Sequence, residues 1–362
     1  MIIGIDANKA TIKKRTGVEN FVFELVSNLL KIDQKNQYLL LASSDLPADI
    51  AQHSNTSLAL SKYRRPWNSF FLPLLLLKNK PDVYLQPLDS IPAFAPDKSI
   101  AVVHDLAYKF FEDAYSESES KRQNKVLANV VKTAKKIICV SESTKKDLLD
   151  FYPNTENKIE VIYLGYDPDK FHVIDTPKDV LKLGCPYILY SGRLEERKNT
   201  LRLVQAFYKL KKENSIPHKL VLAGAPGHNY DQIFNAIRKE PNLMNDIVMP
   251  GHVSHDSLPD LIAQADIFVY PSLYEGFGLS LLEAMACGAA IVTAKSSSLP
   301  EVAGDAAVYI NPLDVSDIAE GINYLIEHPE TKKHYQHLAI ERAKIFSWEK
   351  TASEFLKALE NL

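Results

Sequence analysis

The segment 266–294 reads "DIFVYPSLYEGFGLSLLEAMACGAAIVTA" and sets a helical stretch between two short apolar runs. The runs "DIFVYPS" and "AAIVTA" have the length and the Ile and Val content of buried strands. Between them, Gly276 and Gly278 permit a tight turn, after which a helix begins near Leu279. Strand, turn, helix and strand in this order predict a βαβ unit of a parallel sheet.

The same alternation of apolar runs and helical patterns continues on both sides of this unit. In the first half, the candidate strands are "MIIGI" at residue 1, "YLLLAS" at 38, "DVYLQ" at 82, "IAVVHD" at 100 and "KIICVS" at 136. In the second half, they also include "YILYSG" at 187, "KLVLAG" at 219, "DIVMPG" at 246 and "AAVYI" at 306. Because 362 residues exceed the usual size of one core, we predict an α/β protein of two domains with parallel sheets.

The segment 164–186 is rich in proline and glycine and has no hydrophobic periodicity, which is typical of a connection between domains. We place the boundary near residue 175. This gives an N-terminal domain over residues 1–175 and a C-terminal domain over residues 176–345.

Composition excludes several classes of protein. A formal net charge of -3 provides no broad basic field, so we expect no nucleic-acid partner. The three cysteines, Cys139, Cys185 and Cys287, are isolated and indicate neither a disulfide framework nor a zinc site. The N-terminus lacks the pattern of a signal peptide, and the longest apolar run, 70–77, is too short to span a bilayer. We expect a cytoplasmic protein.

Two cations follow the strand at 187, in the motif "GRLEERKN". Ligands of open α/β sheets bind beyond the carboxyl ends of the strands, so Arg193 and Lys198 face such a site. An arginine fork and a lysine point charge suit a diphosphate that gains negative charge as it leaves. The alternative is a solvated loop in which Glu195 and Glu196 neutralise both cations.

The turn of the opening segment supplies matching groups. The helix that begins near Leu279 points its first N–H groups at the same region, which favours a phosphate there. Glu283 in this helix can accept hydrogen bonds from ribose hydroxyls, and Glu275 before the turn can reach the other end of the ligand. A nucleotide-sugar has this pattern of chemical groups.

Two further residues lie at strand ends in the first half. Gly17 in "TGVENF" stands where an amphipathic helix begins, so the helix N-terminus could face an anion there. His104 in "VVHDL" could hydrogen-bond a sugar hydroxyl or take part in proton transfer. The alternatives are a simple loop before the helix and a structural histidine.

Together these motifs resemble the retaining glycosyltransferases of the GT-B fold, in particular the large family four. The resemblance covers nearly the whole chain and rests on "TGVENF", "VVHDL", "CVSESTKKDL", "GRLEERKN", "GHVSHDSLPDLIAQADIFVYPS" and "EGFGLSLLE". It implies two Rossmann-like domains whose parallel sheets face each other across a cleft. It also implies that the final helix, within residues 346–362, packs back on the first domain.

Carried over by position, the resemblance implies a role for each matching residue. Arg193 and Lys198 hold the diphosphate, and Glu283 holds the nucleotide ribose. The donor sugar contacts Glu275 and the backbone of Phe277, Gly278 and Leu279. Gly17 approaches the phosphates, His104 lies by the transferred sugar, and Val253 lies near the base. His104, Glu275, Arg193 and Lys198 are the catalytic group.

The stretches "GVENFVFELVSNLL" and "RRPWNSFFLPLLL" are similar to bacterial polysaccharide mannosyltransferases and favour GDP-mannose over a UDP-sugar as donor. The loop "TGV" and the run "YLGYD" depart from the commoner family pattern and leave donor identity open. The carboxyl-end turns contain no Asp-x-Asp, so we expect transfer that needs neither a metal ion nor another cofactor. The resemblance implies that this transfer retains the configuration of the sugar. A non-catalytic sugar-nucleotide binding protein, an epimerase and a phosphorylase are the alternatives.

The stretch 62–77 combines basic and aromatic residues, and it bears on where the acceptor is bound. Arg64, Arg65 and Trp67 suit an anionic membrane surface, and we expect a glycan or lipid-linked glycan acceptor at the cytoplasmic leaflet. Cell-surface polysaccharide synthesis is the corresponding process. The alternative is a buried helix whose neighbouring arginines are solvated.

Overall fold

The computed structural model describes residues 1–12, 15, 17–61, 63 and 65–362. The chain divides into two compact units, one formed by Met1–Gly165 with Phe346–Leu362 and the other by Tyr166–Ile345. The division precedes the boundary expected near residue 175, because most of the proline-rich connection belongs to the second unit.

In the first unit, seven described strands form a parallel sheet in the order β3-β2-β1-β4-β5-β6-β7. The strands are β1 (Ile2–Asp6), β2 (Gln37–Ala42), β3 (Thr56–Leu60), β4 (Val83–Gln86), β5 (Ser99–Val103), β6 (Lys136–Cys139) and β7 (Ile159–Val161). The helices are α1 (Gly17–Ile32), α2 (Ala48–Ala51), α3 (Leu72–Asn79), α4 (Ala107–Phe110), α5 (Glu117–Thr133) and α6 (Glu142–Phe151).

In the second unit, six strands form a parallel sheet in the order β10-β9-β8-β11-β12-β13 within the described chain. The strands are β8 (Tyr187–Ser191), β9 (Lys219–Ala223), β10 (Ile247–Gly251), β11 (Ile267–Tyr270), β12 (Ile291–Ala294) and β13 (Val308–Ile310). The helices are α7 (Thr200–Glu213), α8 (Tyr230–Arg238), α9 (Leu258–Ala263), α10 (Leu279–Ala286), α11 (Leu299–Ala303), α12 (Val315–Glu327) and α13 (Pro329–Ala343). The predicted α/β class is confirmed.

The last helix, α14 (Trp348–Glu360), belongs to the first unit. Ser347 caps its N-terminus, because the serine hydroxyl accepts a hydrogen bond from the Lys350 amide. Its apolar face packs on α1, where the Phe21 ring lies 6.1 Å from Trp348 and 6.2 Å from Phe355. The chain therefore leaves the first unit after Gly165 and returns to complete its core.

Sequence analysis did not predict the edge strands β3 and β7. Within β3 only Ala59 is buried, and Leu58 and Leu60 are exposed. Every residue of β7 is only half-buried. Strands at a sheet edge bury less apolar surface, so they lack the continuous apolar run that marked the central strands.

The order of the second sheet positions the candidate site. Strand β8 pairs in parallel with β11, with Ile188 opposite Ile267. The loops that follow Ser191 and Tyr270 therefore leave the sheet side by side, at its carboxyl edge. No helix in the described part of the chain combines the length and the apolar character that crossing a bilayer requires.

Candidate active site

Two loops at the carboxyl ends of β8 and β11 are joined by several hydrogen bonds. The amide of Leu273 donates to the carbonyl of Arg197 over 2.9 Å. The side-chain amide of Asn199 donates to the carbonyl of Pro271 over 3.0 Å. These bonds link the motif "GRLEERKN" to the segment 271–273, which lies just before the motif "EGFGLSLLE".

Lys198 and Glu275 form a buried ion pair between these loops. The Lys198 Nζ donates to Glu275 Oε1 over 2.6 Å and to Oε2 over 2.7 Å. It also donates to the Tyr270 hydroxyl over 3.2 Å. The two side chains are 12% and 8% exposed, so water screens the pair little.

Burial and the neighbouring charges shift both pKa values. Burial raises the pKa of Glu275, but Lys198 and Arg197 outweigh that effect, and the net pKa of this carboxyl is lowered. Burial lowers the pKa of Lys198, although Glu275 favours its charged form. The geometry supports an ion pair, because both carboxylate oxygens accept from the ammonium group.

Arg197 is a third member of this cluster that the sequence analysis missed. Its Nη1 donates to the carbonyl of Tyr274 over 2.9 Å and lies 3.5 Å from Glu275 Oε2. Its Nη2 donates to Glu195 Oε1 over 3.2 Å. The guanidinium thus connects two carboxylates and a backbone carbonyl. The sequence offered one signal, the position of Arg197 between Glu195 and Lys198 in the quoted motif.

Arg193 lies outside the buried cluster. Its side chain is 69% exposed, and its Nε is 3.9 Å from Glu195 Oε2. The structure therefore brings Lys198 and Glu275 together, whereas Arg193 stands at the exposed rim of the same loop. The alternative was a loop in which acidic neighbours neutralise the cations. Glu195 fits this alternative in part, since its carboxylate contacts Arg197 and Arg193.

The turn between Glu275 and α10 is fixed by serine side chains of the neighbouring loop. Ser297 Oγ accepts from the Glu275 amide over 2.8 Å. Ser298 Oγ lies 2.9 Å from the carbonyls of Glu275 and Phe277, to which it can donate. Gly278 has a φ of 105°, which an L side chain rarely adopts. Phe277, Gly278 and Leu279 therefore have a well-supported backbone at the start of α10.

Glu283 lies on α10 and is 8% exposed. Burial, with a further contribution from Asp167, raises the pKa of this carboxyl to about 8, against the opposing effect of Lys170. The two glutamates of the predicted signature thus differ in electrostatic state. Glu275 is held ionised by two cations, whereas Glu283 binds its proton up to mildly alkaline pH.

Two residues predicted to contact the donor, Val253 and Gly17, lie at or near the ends of secondary-structure elements. Val253 follows β10 and is half-buried. Gly17 is the exposed first residue of α1, and a Cβ added there would meet no atom of the described residues within 4 Å. Their roles remain predictions.

His104 lies in the first unit, beside a cavity of about 570 Å³. Its Nε2 is 2.9 Å from the carbonyl of Pro87. A carbonyl only accepts, so Nε2 carries the proton and Nδ1 is an acceptor. Burial lowers the pKa of His104, outweighing Pro87, Asp89 and Asp105, which favours the neutral ring. The cavity is also lined by Asp89, Ser90, Asp105, Arg122 and Asn129.

The stretch predicted to meet a membrane is only partly exposed. Trp67 is buried in the core, and its Nε1 donates to Asp6 over 3.2 Å, so the expectation that this ring forms a surface contact is wrong. Arg65 is exposed and precedes Pro66. Arg64 lies outside the described residues. Phe70 is 53% exposed.

Each of the two units matches a known protein family. Residues 15–170 match the family described as "Glycosyltransferase Family 4", and residues 174–342 match "Glycosyl transferases group 1". Together the two matches cover most of the chain. The protein therefore belongs to the family-four glycosyltransferases of the GT-B fold.

Curated relatives include bacterial mannosyltransferases. The "O-antigen chain mannosyltransferase B" of Escherichia coli is 29% identical over 74% of this chain and 71% of its own length. The "Serotype-specific mannosyltransferase WbdA" of Escherichia coli is 29% identical over 73% of this chain, but the match spans only 33% of that relative.

Among solved structures, Anabaena HepE in complex with UDP and glucose has a TM-score of 0.75 and 18% identity. The match covers 100% of this chain and 99% of that chain. At this identity the likeness shows the fold, and the predicted GT-B architecture is confirmed.

Proposed function

We propose that this glycosyltransferase moves mannose from GDP-mannose to a glycan or lipid-linked glycan, with retention of configuration and without a metal ion. The observation that carries the proposal is the buried Lys198–Glu275 pair at the carboxyl edge of β8 and β11, directly before α10. Ligands of parallel sheets bind at this edge. The relatives named as mannosyltransferases favour mannose over other hexoses.

In this proposal, cations stabilise the charge of the departing diphosphate. Lys198 and the exposed Arg193 approach its oxygens, and the N-terminus of α10 adds its partial positive charge. Glu283 accepts from the ribose hydroxyls once its proton has left. Val253 lies near the base, and Gly17 approaches the phosphates.

The sugar end of the donor is assigned to three groups. Glu275 and the backbone of 277–279 bind its hydroxyls, and the Nδ1 of His104 accepts from a further hydroxyl. The bond between the anomeric carbon and the phosphate oxygen breaks, and a bond to the acceptor oxygen forms on the same face. The acceptor proton passes to the departing phosphate oxygen, so the step balances without an enzyme nucleophile.

Product analysis tests this proposal. The protein is incubated with GDP-mannose and a mannose-terminated oligosaccharide, and nucleotide release and oligosaccharide mass are measured. The expected result is the gain of one hexose, with unchanged activity in a chelator. Activity lost in the chelator and restored by magnesium or manganese would contradict metal independence. The anomeric NMR signals of the product report its configuration, and an inverted product would contradict retention.

A second donor class follows from a structural relative, since Anabaena HepE has also been solved in complex with UDP-glucose. A parallel incubation with UDP-glucose and UDP-N-acetylglucosamine distinguishes the donors. Transfer from a UDP-sugar alone would replace GDP-mannose in the proposal. A protein that binds a nucleotide-sugar but transfers nothing to any acceptor would instead fit a non-catalytic binding protein.

We also propose that the first unit docks on the anionic cytoplasmic leaflet, where a lipid-linked acceptor would lie. Phe70, Leu74 and Leu77 are exposed at helical spacing, and Arg65 is exposed before them. Apolar and basic side chains together suit an anionic interface. Vesicle co-sedimentation tests this: binding to anionic vesicles should exceed binding to neutral ones and should weaken when Arg64 and Arg65 are replaced by Glu. Equal or absent binding to both vesicle types would favour a soluble acceptor.

A further inference from the structure

Lys198, Arg197 and Glu275 form a buried charged cluster. If Lys198 binds a diphosphate, another cation has to compensate the charge of Glu275. Both carboxylate oxygens of Glu275 accept from Lys198, the residue assigned to the diphosphate. A lysine ammonium has three donors, so phosphate oxygens compete with Glu275 for the same group. A buried carboxylate that loses its cation is strongly destabilised. A second cation is therefore needed to retain Glu275.

Arg197 is placed to be that cation, because its fork is already anchored. Nη1 donates to the Tyr274 carbonyl and Nη2 to Glu195, while the Arg197 carbonyl accepts from Leu273. Its side chain is 18% exposed and lies 3.5 Å from Glu275 Oε2. The guanidinium thus contacts the Tyr274 carbonyl, Glu195 and Glu275. A guanidinium with three partners is less able to turn toward a ligand than the flexible lysine side chain.

We propose that Arg197 is a positioning residue that retains the Glu275 carboxylate and its loop while Lys198 turns to the diphosphate. This inference rests on the proposed transferase function, and it assigns to Arg197 no contact with the donor. Lys198 exchanges partners, and Arg197 does not. The sugar-facing side of the site therefore keeps its charge and shape during donor binding and departure.

The charges around Glu275 agree with these separate roles of Lys198 and Arg197. The cluster contains two carboxylates, Glu195 and Glu275, and two cations, Arg197 and Lys198. When Lys198 is shared with a diphosphate, Arg197 is the cation nearest to Glu275 that still compensates it. Among the described residues, Tyr190 of β8 and Tyr270 of β11 also interact with Glu275, and both are neutral at physiological pH because burial raises their pKa well above the usual value.

The first test reads Glu275 directly and needs no activity. The carboxyl signal of Glu275 is followed by carbon NMR through a pH titration, with and without inorganic pyrophosphate, and is assigned by its loss in Glu275→Gln. In Arg197→Met, pyrophosphate should raise the apparent pKa of Glu275 by about one unit or more, relative to wild type with pyrophosphate. Arg197→Lys should reverse most of this shift. Identical titrations in Arg197→Met and wild type would overturn the proposal.

The second test separates positioning from phosphate binding. Arg197→Met should lower turnover by about tenfold or more and move the acidic limb of its pH profile upward, with GDP affinity changed less than about threefold. Arg197→Lys should restore the acidic limb. Arg238→Met, at an exposed arginine of α8, should match wild type in both measurements. Equal losses of GDP affinity and turnover would make Arg197 a direct phosphate ligand and overturn the proposal.

The two tests also separate this inference from the proposed function. A pyrophosphate-dependent shift in Arg197→Met, with no transfer from any donor by wild type, would support the positioning role and contradict the transferase proposal. Normal transfer by wild type and by Arg197→Met, with superimposable pH profiles, would support the transferase proposal and reject the positioning role.

Discussion

The Nζ of Lys198 lies 2.6 Å and 2.7 Å from the two carboxylate oxygens of Glu275, although the residues are far apart in the chain. The adjacency of β8 and β11 makes this contact, because each residue belongs to the loop that follows one of these strands. The pair has a functional consequence. In the proposed mechanism, a diphosphate at Lys198 and a sugar at Glu275 would be linked through this hydrogen-bonded pair.

Lys198→Met should lower turnover by roughly a hundredfold, a loss of about 3 kcal/mol of transition-state stabilisation. The reason is that the cation strengthens its contact as charge develops on the diphosphate. Initial rates at saturating donor check this. Lys209→Met, at a lysine paired with Glu213 on the surface of α7, is the matched control and should behave as wild type. Near-normal turnover of Lys198→Met would remove this residue from the mechanism.

Arg193→Met should produce a comparable loss of turnover but little change in stability. Its side chain is 69% exposed, and an exposed ion pair contributes less than about 1 kcal/mol. Urea unfolding should therefore superimpose on wild type, whereas Lys198→Met should unfold earlier because Glu275 loses a buried partner. An Arg193→Met protein that is fully active would show that this arginine only lines the rim.

Nucleotide affinity should rise with pH toward the raised pKa of Glu283, which is about 8. The free protein holds a proton on this carboxyl at neutral pH, and the ribose hydroxyls need the ionised form as acceptor. Binding then releases a proton, so affinity increases by up to about tenfold per pH unit below that pKa and levels off above it. Calorimetry with GDP in buffers of different ionisation enthalpy measures the proton release. Glu283→Gln should abolish the pH dependence, and a wild-type affinity that is flat from about pH 6 to pH 8 would refute the assignment.

The two glutamates should separate in binding experiments. Glu283→Gln should weaken GDP and GDP-mannose alike, because both carry the ribose. Glu275→Gln should leave GDP affinity within about threefold of wild type and lower turnover by about a hundredfold, since only the sugar and the transition state need it. If Glu275→Gln loses GDP affinity as severely as Glu283→Gln, the two roles need to be revised.

Gly17→Ala should weaken donor binding without destabilising the free protein. Within the part of the chain that the structure describes, a Cβ at this position meets no atom within 4 Å, and alanine favours a helix, so stability should be unchanged or slightly raised. Donor affinity should nevertheless fall by about tenfold if the backbone approaches the phosphates, because the methyl group then displaces them. A thermal melt and a donor titration on the same sample check both statements. Full donor affinity would leave Gly17 as an ordinary first residue of α1.

The central strands could be predicted from the sequence because they are buried on both faces and read as apolar runs, as "YILYS" and "IFVY" do in β8 and β11. The edge strands β3 and β7 could not be predicted, since β3 is mostly exposed and β7 is only half-buried. The burial of Trp67 was missed for a different reason. It depends on Asp6, a residue of a strand that lies far away in the chain.

The same limit applies to the site. Lys198, Glu275 and Glu283 could be selected because their side-chain chemistry and their positions after strands are local features. The Lys198–Glu275 contact and the anchoring of Arg197 by Tyr274 could not, because they depend on which strands are neighbours in the sheet. The pKa of Glu283 likewise depends on burial among residues from other segments.

A calorimetric titration of GDP-mannose into wild type, Lys198→Met and Lys209→Met tests the central claim most directly, that the paired loops after β8 and β11 hold the donor diphosphate. One-site binding by wild type and Lys209→Met is expected, with affinity reduced by about tenfold or more in Lys198→Met. UDP-glucose is titrated in parallel to identify the nucleotide. If neither donor binds wild type, or if the bound donor has the same affinity for Lys198→Met, the paired loops do not form the donor site.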